Sequence, residues 1–424
     1  MAPQDKDKGT MIIVGFDWAR DKHDVAVQSP DGNWLHRGVV AHDAASLEQL
    51  RVQLSEMESD PAQVHVALEQ HDGALLAWIL HCGYTLYAVN PKSADRAREI
   101  YHPAGGKSDK VDARVLADLL RNNLPRFKPM HAQSEATLRL RSLSRLRTRL
   151  NDQKTAHMQR LRTILAEWSP LVSNLCNDFN RIWQRDLVRQ WPLHEDLANV
   201  HGNTINAFMS EHRMAAATRD KLQATRKAQV LYVPKGRQTA LRLEIEHILQ
   251  QLQDIIERLK QLDDELEAAF QAHPSYDTFY SLPVKGTSTL AMIASAYGDE
   301  RDDPPSWRHL AARWGVAPIT YASGKSRAVH RRRACDTHVL QALTDLAFTT
   351  AFSVKGCWAK EFYRRKRDEG KDHHEALRAV ALRWVKILWR LWHDQDLYDE
   401  EYHQRNKRLQ SANSCTSAAA LAHT

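Results

Sequence analysis

An unbroken heptad repeat between residues 241 and 266 constrains the fold of this 424-residue chain more than any other feature. Its apolar positions follow one another at alternating intervals of four and three residues: Leu241, Ile245, Ile248, Leu252, Ile255, Leu259, Leu262 and Leu266. A seam of this length predicts one long helix that packs along a second helix as a coiled coil. The second helix belongs either to the same chain or to another copy of it, and the pattern is compatible with both.

A second long helix is predicted over residues 139–162, where eight basic residues stand against one acid, Asp152. A surface that needs only solubility usually mixes both signs of charge, so this imbalance leaves two readings evenly balanced: a surface that follows phosphates and a merely solvated charged face. The candidate nucleic-acid-binding residues of this helix are Arg139, Arg141, Arg145, Arg147 and Arg149. The whole chain carries a formal charge of only +7, so the basic residues matter through their local concentration.

The chain ahead of these helices has a different pattern. Strand-like runs at 12–17, 24–28 and 34–40 are followed by alternating helix-like and strand-like segments up to about residue 130. This order predicts an α/β domain with a mixed sheet. After about residue 134 the strand signals disappear, so the fold class is α/β plus all-α.

Four segments follow from these changes in pattern: an α/β domain at 11–130, a helical and coiled-coil middle at 131–272, a small α-helical domain at 273–400 and a disordered tail at 401–424.

Most of the twelve tryptophans are predicted to be core residues, with Trp307 and Trp314 as candidates for stacking on nucleic-acid bases.

Several classes of protein are excluded. No apolar run approaches the length of a membrane span, and the first ten residues are polar, which predicts a protein without a membrane anchor or signal peptide. The five cysteines lack the spacing of a disulfide framework or a zinc site. We therefore expect an intracellular protein.

Carboxylates mark the candidate active site. Asp17 ends the first strand and Glu69 ends a later strand, while Asp109 and Asp112 share one face of a predicted helix. Four such groups can hold two divalent cations, Mg²⁺ or Mn²⁺, which serve phosphate chemistry. Taken singly, each acid is more often a turn former or a helix cap, and only the joint pattern of the four favours a metal site.

The order of these acids resembles the RuvC-like DEDD domain of bacterial insertion-sequence transposases of the IS110 type, a family related to Piv-type DNA invertases. The resemblance is carried by Gly15-Phe16-Asp17-Trp18-Ala19, Leu68-Glu69, Val89-Asn90-Pro91 and Lys107-Ser108-Asp109-Lys110-Val111-Asp112-Ala113. It implies a ribonuclease-H-like fold and an acidic, metal-binding tetrad of Asp17, Glu69, Asp109 and Asp112.

A second informative stretch surrounds Ser323. Between Ser323 and Arg333 the chain has five basic residues and no acid: Lys325, Arg327, Arg331, Arg332 and Arg333. From the residues alone, Ser323 is a loop serine beside a phosphate-contacting surface. The family has a Ser-Gly in this context, after a Gly-x-x-Pro element, and that resemblance implies that Ser323 is the nucleophile of a covalent recombination step.

This chain departs from the family in two places. Ala322 stands where Gln often precedes the Ser-Gly. The turn at Pro283-Val284-Lys285-Gly286 resembles a helix-hairpin-helix turn that lacks one glycine, and Lys285 supplies a positive charge there for a nucleic-acid phosphate.

The resemblance implies a DNA transposase or site-specific recombinase that acts on element ends and target. It also implies a structured noncoding guide RNA as a further partner, and we expect a dimer or tetramer formed through the coiled coil, in the bacterial cytoplasm with the nucleoid. Two alternatives remain: a Holliday-junction resolvase that uses metal-activated water, and a non-catalytic nucleic-acid-binding protein.

Overall fold

The structure, a computed structural model, describes residues 11–69, 73–101, 109–302, 305–324 and 326–402. The chain divides into two compact units, Met1–Gln133 and Ser134–Thr424. The second unit contains both the middle segment and the C-terminal segment of the sequence analysis. Within the described helices, none combines the length and apolar character that a bilayer crossing requires.

The first unit alternates strands and helices. Its elements are β1 (Ile12–Asp17), β2 (Lys22–Gln28), β3 (Trp34–Ala41), α1 (Ala44–Met57), β4 (Val64–Leu68), α2 (Ala74–His81), β5 (Thr85–Ala88), α3 (Pro91–Tyr101) and α4 (Asp109–Asn123). The sheet has the order β3-β2-β1-β4-β5. The first three strands form an antiparallel meander, and β4 and β5 run parallel to β1. The mixed sheet predicted from the sequence is confirmed.

The central strand β1 is apolar on both faces because helices cover both sides of the sheet. Ile12, Val14 and Phe16 belong to a core shared with α1 and α2. Ile13 belongs to the opposite core, together with Leu116, Ala117 and Leu120 of α4. Continuous burial of this kind is typical of a central strand in an α/β layer structure.

The second unit is mostly helical. Its elements are α5 (Glu135–Trp168), α6 (Pro170–Leu175), α7 (Ile182–Gln190), α8 (His194–Ala198), α9 (Gly202–Glu211), α10 (Ala216–Lys227), α11 (Lys235–Gln271), α12 (Tyr276–Tyr280), α13 (Thr287–Tyr297), α14 (Trp307–Arg313), β6 (Ile319–Ser323), β7 (Ser326–His330), α15 (Thr337–Phe352), α16 (Trp358–Asp368) and α17 (His373–Asp394).

The heptad seam lies on α11 and is buried along its whole length. Its partner in the structure is the basic helix α5 of the same chain, and the two helices run antiparallel. Arg147 pairs with Asp263, and Arg160 pairs with Glu244 at 2.7 Å, so the start of one helix lies beside the end of the other. Of the two alternatives left by the sequence, the structure therefore shows packing within one chain. Self-association stays a prediction.

The C-terminal part of this unit has a core around Trp314, Trp384 and Trp392, all almost completely buried. Burial of Trp314 contradicts the suggestion that it stacks on bases, since its ring has no exposed face to offer. Helix α17 begins with a side-chain cap: the carboxylate of Asp372 accepts a hydrogen bond from the backbone N–H of Glu375 at 2.6 Å.

The expectation that strands are absent after residue 134 is wrong. Strands β6 and β7 form a two-stranded antiparallel hairpin, separate from the sheet of the first unit. Most of β6 is exposed, so its sequence lacks the apolar alternation that reveals a half-buried strand. The C-terminal segment is therefore mostly helical rather than all-helical.

Candidate active site

Asp17 and Glu69 lie at the carboxyl ends of two adjacent parallel strands, β1 and β4. Asp17 is the last residue of β1, and Glu69 directly follows β4, in a register that pairs Phe16 with Leu68. Gly15 and Ala67, two residues earlier, lie on the sheet face covered by α4. Because side chains alternate along a strand, Asp17 and Glu69 are placed on that same face.

Helix α4 approaches this face unusually closely at Gly15. An added Cβ at Gly15 would lie 1.9 Å from the carbonyl oxygen of Ala113 and 2.7 Å from the backbone nitrogen of Ala117. Only a residue without a side chain allows this backbone contact. The contact holds the first turns of α4, including Asp112, against the strand that ends in Asp17.

Asp112 is buried, with 7% of its surface exposed. Its Oδ1 atom accepts a hydrogen bond from the Nε of Arg98 on α3 at 2.6 Å, and Arg98 also donates to Asp95 at 2.7 Å. These two hydrogen bonds raise the pKa of Arg98. Asp109 begins α4 one turn earlier, and its side chain lies outside the described residues.

Two further residues belong to this neighbourhood and were missed by the sequence analysis. One is Arg98, the partner of Asp112. The other is Asp24, which pairs with Asp17 across the β1–β2 ladder and is only 7% exposed. Directly opposed residues of an antiparallel pair share a face, so Asp24 is a further carboxylate beside Asp17. The signal was an acid at the start of the second predicted strand, seven residues after Asp17.

The loop after β1 is fixed by a buried imidazole. The Nδ1 atom of His23 accepts a hydrogen bond from the backbone N–H of Ala19 at 3.3 Å, and its Nε2 atom lies 2.8 Å from Nδ1 of His42. Burial, together with the neighbouring His42, lowers the pKa of His23 to about 4. This side chain is therefore neutral at physiological pH and serves to shape the turn beside Asp17.

The chemistry of these residues fits a divalent cation. Asp24 and Asp112 are buried carboxylates, and the guanidinium of Arg98 forms an ion pair with Asp112. Removing several like charges from water is costly unless cations compensate them, and hard carboxylate oxygens are what Mg²⁺ prefers. Within the described residues, which exclude the Asp109 side chain, no group of three or more acidic, His or Cys residues is close enough to hold a metal.

Ser323 is the last residue of β6, at the tip of the exposed hairpin. It pairs with Ser326, the first residue of β7, so two residues separate the strands, and Gly324 is the first of them. Gly324 has a φ of +56°, as tight hairpin turns of this length require, and an added Cβ there would meet nothing within 4 Å. The serine predicted to lie in a loop is thus an exposed strand-end residue.

The base of this hairpin is anchored in the C-terminal core. Gly315, at φ +71°, lies so close to Cys335 that an added Cβ would be 2.5 Å from its Sγ atom. The backbone N–H of Asp336 donates to the carbonyl oxygen of Arg313. These contacts join the segments before β6 and after β7, so the tip projects from a fixed base.

The basic residues predicted around Ser323 have different environments. Arg331 and Arg333 are exposed, whereas Arg332 is half-buried, and its Nε atom has no hydrogen-bond partner among the described residues. Lys325 and the side chain of Arg327 lie outside the described residues. Lys285, in the turn before α13, is exposed, with its Nζ 4.3 Å from the ring centre of Tyr280.

The basic residues of α5 also divide into two groups. Arg139 and Arg149 are exposed. The other three are joined to the protein itself: Arg141 donates to the carbonyl oxygen of Ser295 at 2.8 Å, Arg145 pairs with Asp336 at 3.7 Å, and Arg147 pairs with Asp263. Burial lowers the pKa of Arg141. Phosphate binding by these five residues stays a prediction, and it has the clearest structural basis at Arg139 and Arg149.

Comparison with known proteins gives two family matches. A model described as "Transposase", of the DEDD IS110 type, matches residues 14–170, and a model described as "Transposase IS116/IS110/IS902 family" matches residues 276–364. Together they span more than half of the chain. The first covers Asp17, Glu69 and Asp112, and the second covers the Ser323 hairpin.

Similar proteins extend over nearly the whole chain. A candidate transposase of the IS117 mini-circle from Streptomyces coelicolor is 26% identical over 92% of this chain and 96% of its own length. An uncharacterized 44.8 kDa protein of insertion element IS116 from Streptomyces clavuligerus is 25% identical over 91% and 96%. An uncharacterized 42 kDa protein of insertion element IS900 from Mycobacterium paratuberculosis is 26% identical over 91% and 97%.

Proposed function

Because the chain belongs to the IS116/IS110/IS902 family of transposases, we propose that it cleaves and rejoins DNA at the ends of a mobile element and at its target. The first unit is then a ribonuclease-H-like (RuvC-like) domain. This proposal is supported by the strand order β3-β2-β1-β4-β5, in which β2 runs in the opposite direction to the other four strands. The second unit carries the nucleophilic serine.

The observation that carries the proposal is the contact of α4 with Gly15. It sets Asp112 against the strand that ends in Asp17, on the face where Glu69 is also placed. Asp17, Glu69, Asp109 and Asp112 would hold the divalent cations, Mg²⁺ or Mn²⁺. When bound, a pair of such cations neutralises phosphate charge and stabilises the oxygens that enter and leave. Arg98 orients Asp112 through the 2.6 Å hydrogen bond to one carboxylate oxygen.

Ser323 is proposed to attack a DNA phosphate. Its Oγ forms a bond to phosphorus and gives its proton to solvent, while a deoxyribose oxygen leaves with the electrons of the broken P–O bond and takes up a proton from solvent. A second DNA hydroxyl then attacks the phosphoserine and releases Ser323. Each step exchanges one phosphodiester-type bond for another, so no energy source such as ATP is needed. Support comes from the exposed position of Ser323 at the tip of the hairpin, and from the exposed Arg331 and Arg333 that follow β7 at the other end of the same hairpin.

The test is to trap the protein on an element-end DNA with Mg²⁺ and look for a covalent adduct. We expect an adduct with the wild type and none with Ser323→Ala. Ser326→Ala is the matched control, because Ser326 faces Ser323 across the same turn and removing its hydroxyl should leave the adduct intact. Asp112→Asn should bind the DNA but form little adduct.

An adduct that survives Ser323→Ala would refute the serine assignment. Normal cleavage of branched DNA by Ser323→Ala, with no adduct in any variant, would instead favour a structure-selective nuclease of the Holliday-junction resolvase type that uses water. Binding of DNA by the wild type without strand cleavage in any divalent metal would favour a non-catalytic nucleic-acid-binding protein.

A guide RNA and self-association complete the proposal. The exposed Arg139 and Arg149 are suited to a polyanion, DNA or RNA. If a guide RNA is used, a structured transcript from beside the gene should co-purify with the wild type and be reduced in an Arg139→Glu/Arg149→Glu variant. Light scattering of the purified chain measures whether it forms the dimer or tetramer expected from the sequence.

A further inference from the structure

The C-terminal helices line a cavity that is open to solvent and has no part in the chemistry proposed above. Its volume is about 660 Å³, and it lies among α14, α16, α17 and the segment that follows α17. Trp307 and Phe362 contribute aromatic walls, and Arg383, Lys386 and Arg390 contribute basic groups. The volume is in the range of sites that bind small organic groups.

The aromatic rings and the basic groups of this cavity are in direct contact. The guanidinium of Arg383 lies 5.2 Å from the ring centre of Phe362, and the Nζ of Lys386 lies 5.8 Å from that of Trp307. The Phe362 ring also has the guanidinium of Arg365 at 4.9 Å and the Nζ of Lys366 at 5.6 Å from its centre, so several positive groups surround it. Aromatic rings combined with positive charges are the pattern that binds unstacked nucleotides.

The charge balance of the cavity favours an anionic ligand. Arg390 is neutralised by Asp394 and Asp396, each at 3.6 Å, and its Nη1 also donates to the Tyr402 hydroxyl. The carboxylate of Asp399 accepts backbone hydrogen bonds from Glu401 and Tyr402.

Arg383 and Lys386, by contrast, form no ion pair among the described residues. Burial, and then the neighbouring Arg365, lowers the pKa of Arg383. The residues that line the cavity thus carry three positive and two negative charges, which is a net charge of +1.

We propose that this cavity binds one unstacked nucleotide of single-stranded DNA, with its base against Trp307 and Phe362 and its phosphate at Lys386 and Arg383. The inference rests on the proposed function, because strand exchange exposes single-stranded DNA that such a protein must hold. A duplex keeps its bases stacked inside and cannot place one in a pocket without extrusion. Acidic peptides would satisfy the charges but not the two aromatic walls.

The test measures binding of a fluorescein-labelled thymidine dodecamer to the full chain without divalent metal, so that no cleavage contributes. We expect Lys386→Glu to weaken binding by about tenfold or more and to lower the salt dependence by about one phosphate contact. Lys355→Glu is the matched control, since Lys355 is an exposed lysine in the α15–α16 loop outside the cavity, and it should change affinity less than twofold. Phe362→Leu should weaken binding on the order of tenfold through lost stacking.

Two further arms identify the ligand and its place. A dodecamer with abasic sites should bind more weakly than the thymidine dodecamer to the wild type, and equally to Phe362→Leu. A dodecamer containing 5-iododeoxyuridine should photocrosslink to the peptides of Trp307 or Phe362. A thermal unfolding midpoint within a few degrees of the wild type shows that each variant is folded.

Unchanged binding by Lys386→Glu, crosslinks confined to other segments, or equal binding of the abasic strand would overturn the inference. Tighter binding of a uridine dodecamer than of the thymidine dodecamer would overturn the assignment to DNA. The proposed function is refuted by a different result. If the protein binds the thymidine dodecamer as expected but never forms the Ser323 adduct, the nucleotide-binding pocket is supported and the proposed transposase chemistry is refuted.

Discussion

Replacing Gly15 with alanine tests how tightly the acidic site depends on one backbone contact. The added methyl group would lie 1.9 Å from the carbonyl oxygen of Ala113 and 2.7 Å from the nitrogen of Ala117. Both atoms belong to the backbone of α4, so no side chain can rotate away and the helix itself must shift. Overpacking of a core commonly costs about 1–3 kcal/mol, and a clash with a helix backbone belongs at the upper end, about 3 kcal/mol.

Hydrogen exchange followed by mass spectrometry measures this cost where it arises. A loss of about 3 kcal/mol in the first unit corresponds to roughly a hundredfold faster exchange of the most protected amides in β1 and α4. Peptides from α15 and α17, in the second unit, should exchange as in the wild type. Because Asp112 precedes Ala113, the variant should also bind Mn²⁺ more weakly even under conditions where it remains folded.

Gly236→Ala is the control, because a Cβ at this helical position in α11 meets nothing within 4 Å. It should leave exchange unchanged or slow it slightly, since alanine favours a helix over glycine by up to about 1 kcal/mol. If Gly15→Ala exchanged like the wild type in β1 and α4 and bound Mn²⁺ normally, the close approach of α4 to β1 would be refuted.

Three further predictions concern pH, the helix pair and the hairpin. The depressed pKa of His23, about 4 against an ordinary 6.5, means that the unfolded chain takes up a proton before the folded chain does. Stability should therefore fall, by about 3 kcal/mol at most, as pH drops from 6.5 towards 4, and urea unfolding of His23→Gln should lose that dependence. In a double-mutant cycle, the partly exposed pair Arg147–Asp263 should show a coupling of about 1 kcal/mol or less, and a value above about 2 would contradict a surface ion pair. Gly324→Val should slow Ser323 adduct formation about tenfold, because a φ of +56° strains a β-branched residue, and it should leave the thermal unfolding midpoint unchanged. Asparagine tolerates this conformation, so Gly324→Asn should retain most of the wild-type rate of adduct formation.

The sequence predicted the first unit well because its strands and helices are regular. The strands predicted at 12–17, 24–28 and 34–40 correspond to β1, β2 and β3, with each boundary correct to within two residues. Arg98 and Asp24 were missed for a physical reason. Their importance depends on which residues face each other across a ladder or between two helices, and no local pattern specifies that.

The second unit shows where local patterns are ambiguous. The heptad seam of α11 established that a helix must cover it, but an apolar face does not identify its partner, and α5 lacks an equally regular seam. The β6–β7 hairpin buries little, so it lacks a strand signature, and its glycine at positive φ was the one local sign of a turn. An exposed hairpin that is fixed to the core only at its base is therefore difficult to predict from the local sequence pattern.

The antiparallel pair of α5 and α11 gives the second unit a fixed internal length. The helices have 34 and 37 residues, which at 1.5 Å per residue makes a rod of about 50 Å. One end is built into the core with Leu140 and Phe270, and the other into the core with Leu161 and Leu241. About 15 base pairs of DNA cover the same distance. Inserting or deleting whole heptads in both helices would change that spacing stepwise while keeping the seam in register, so the rod is a molecular ruler whose length can be engineered.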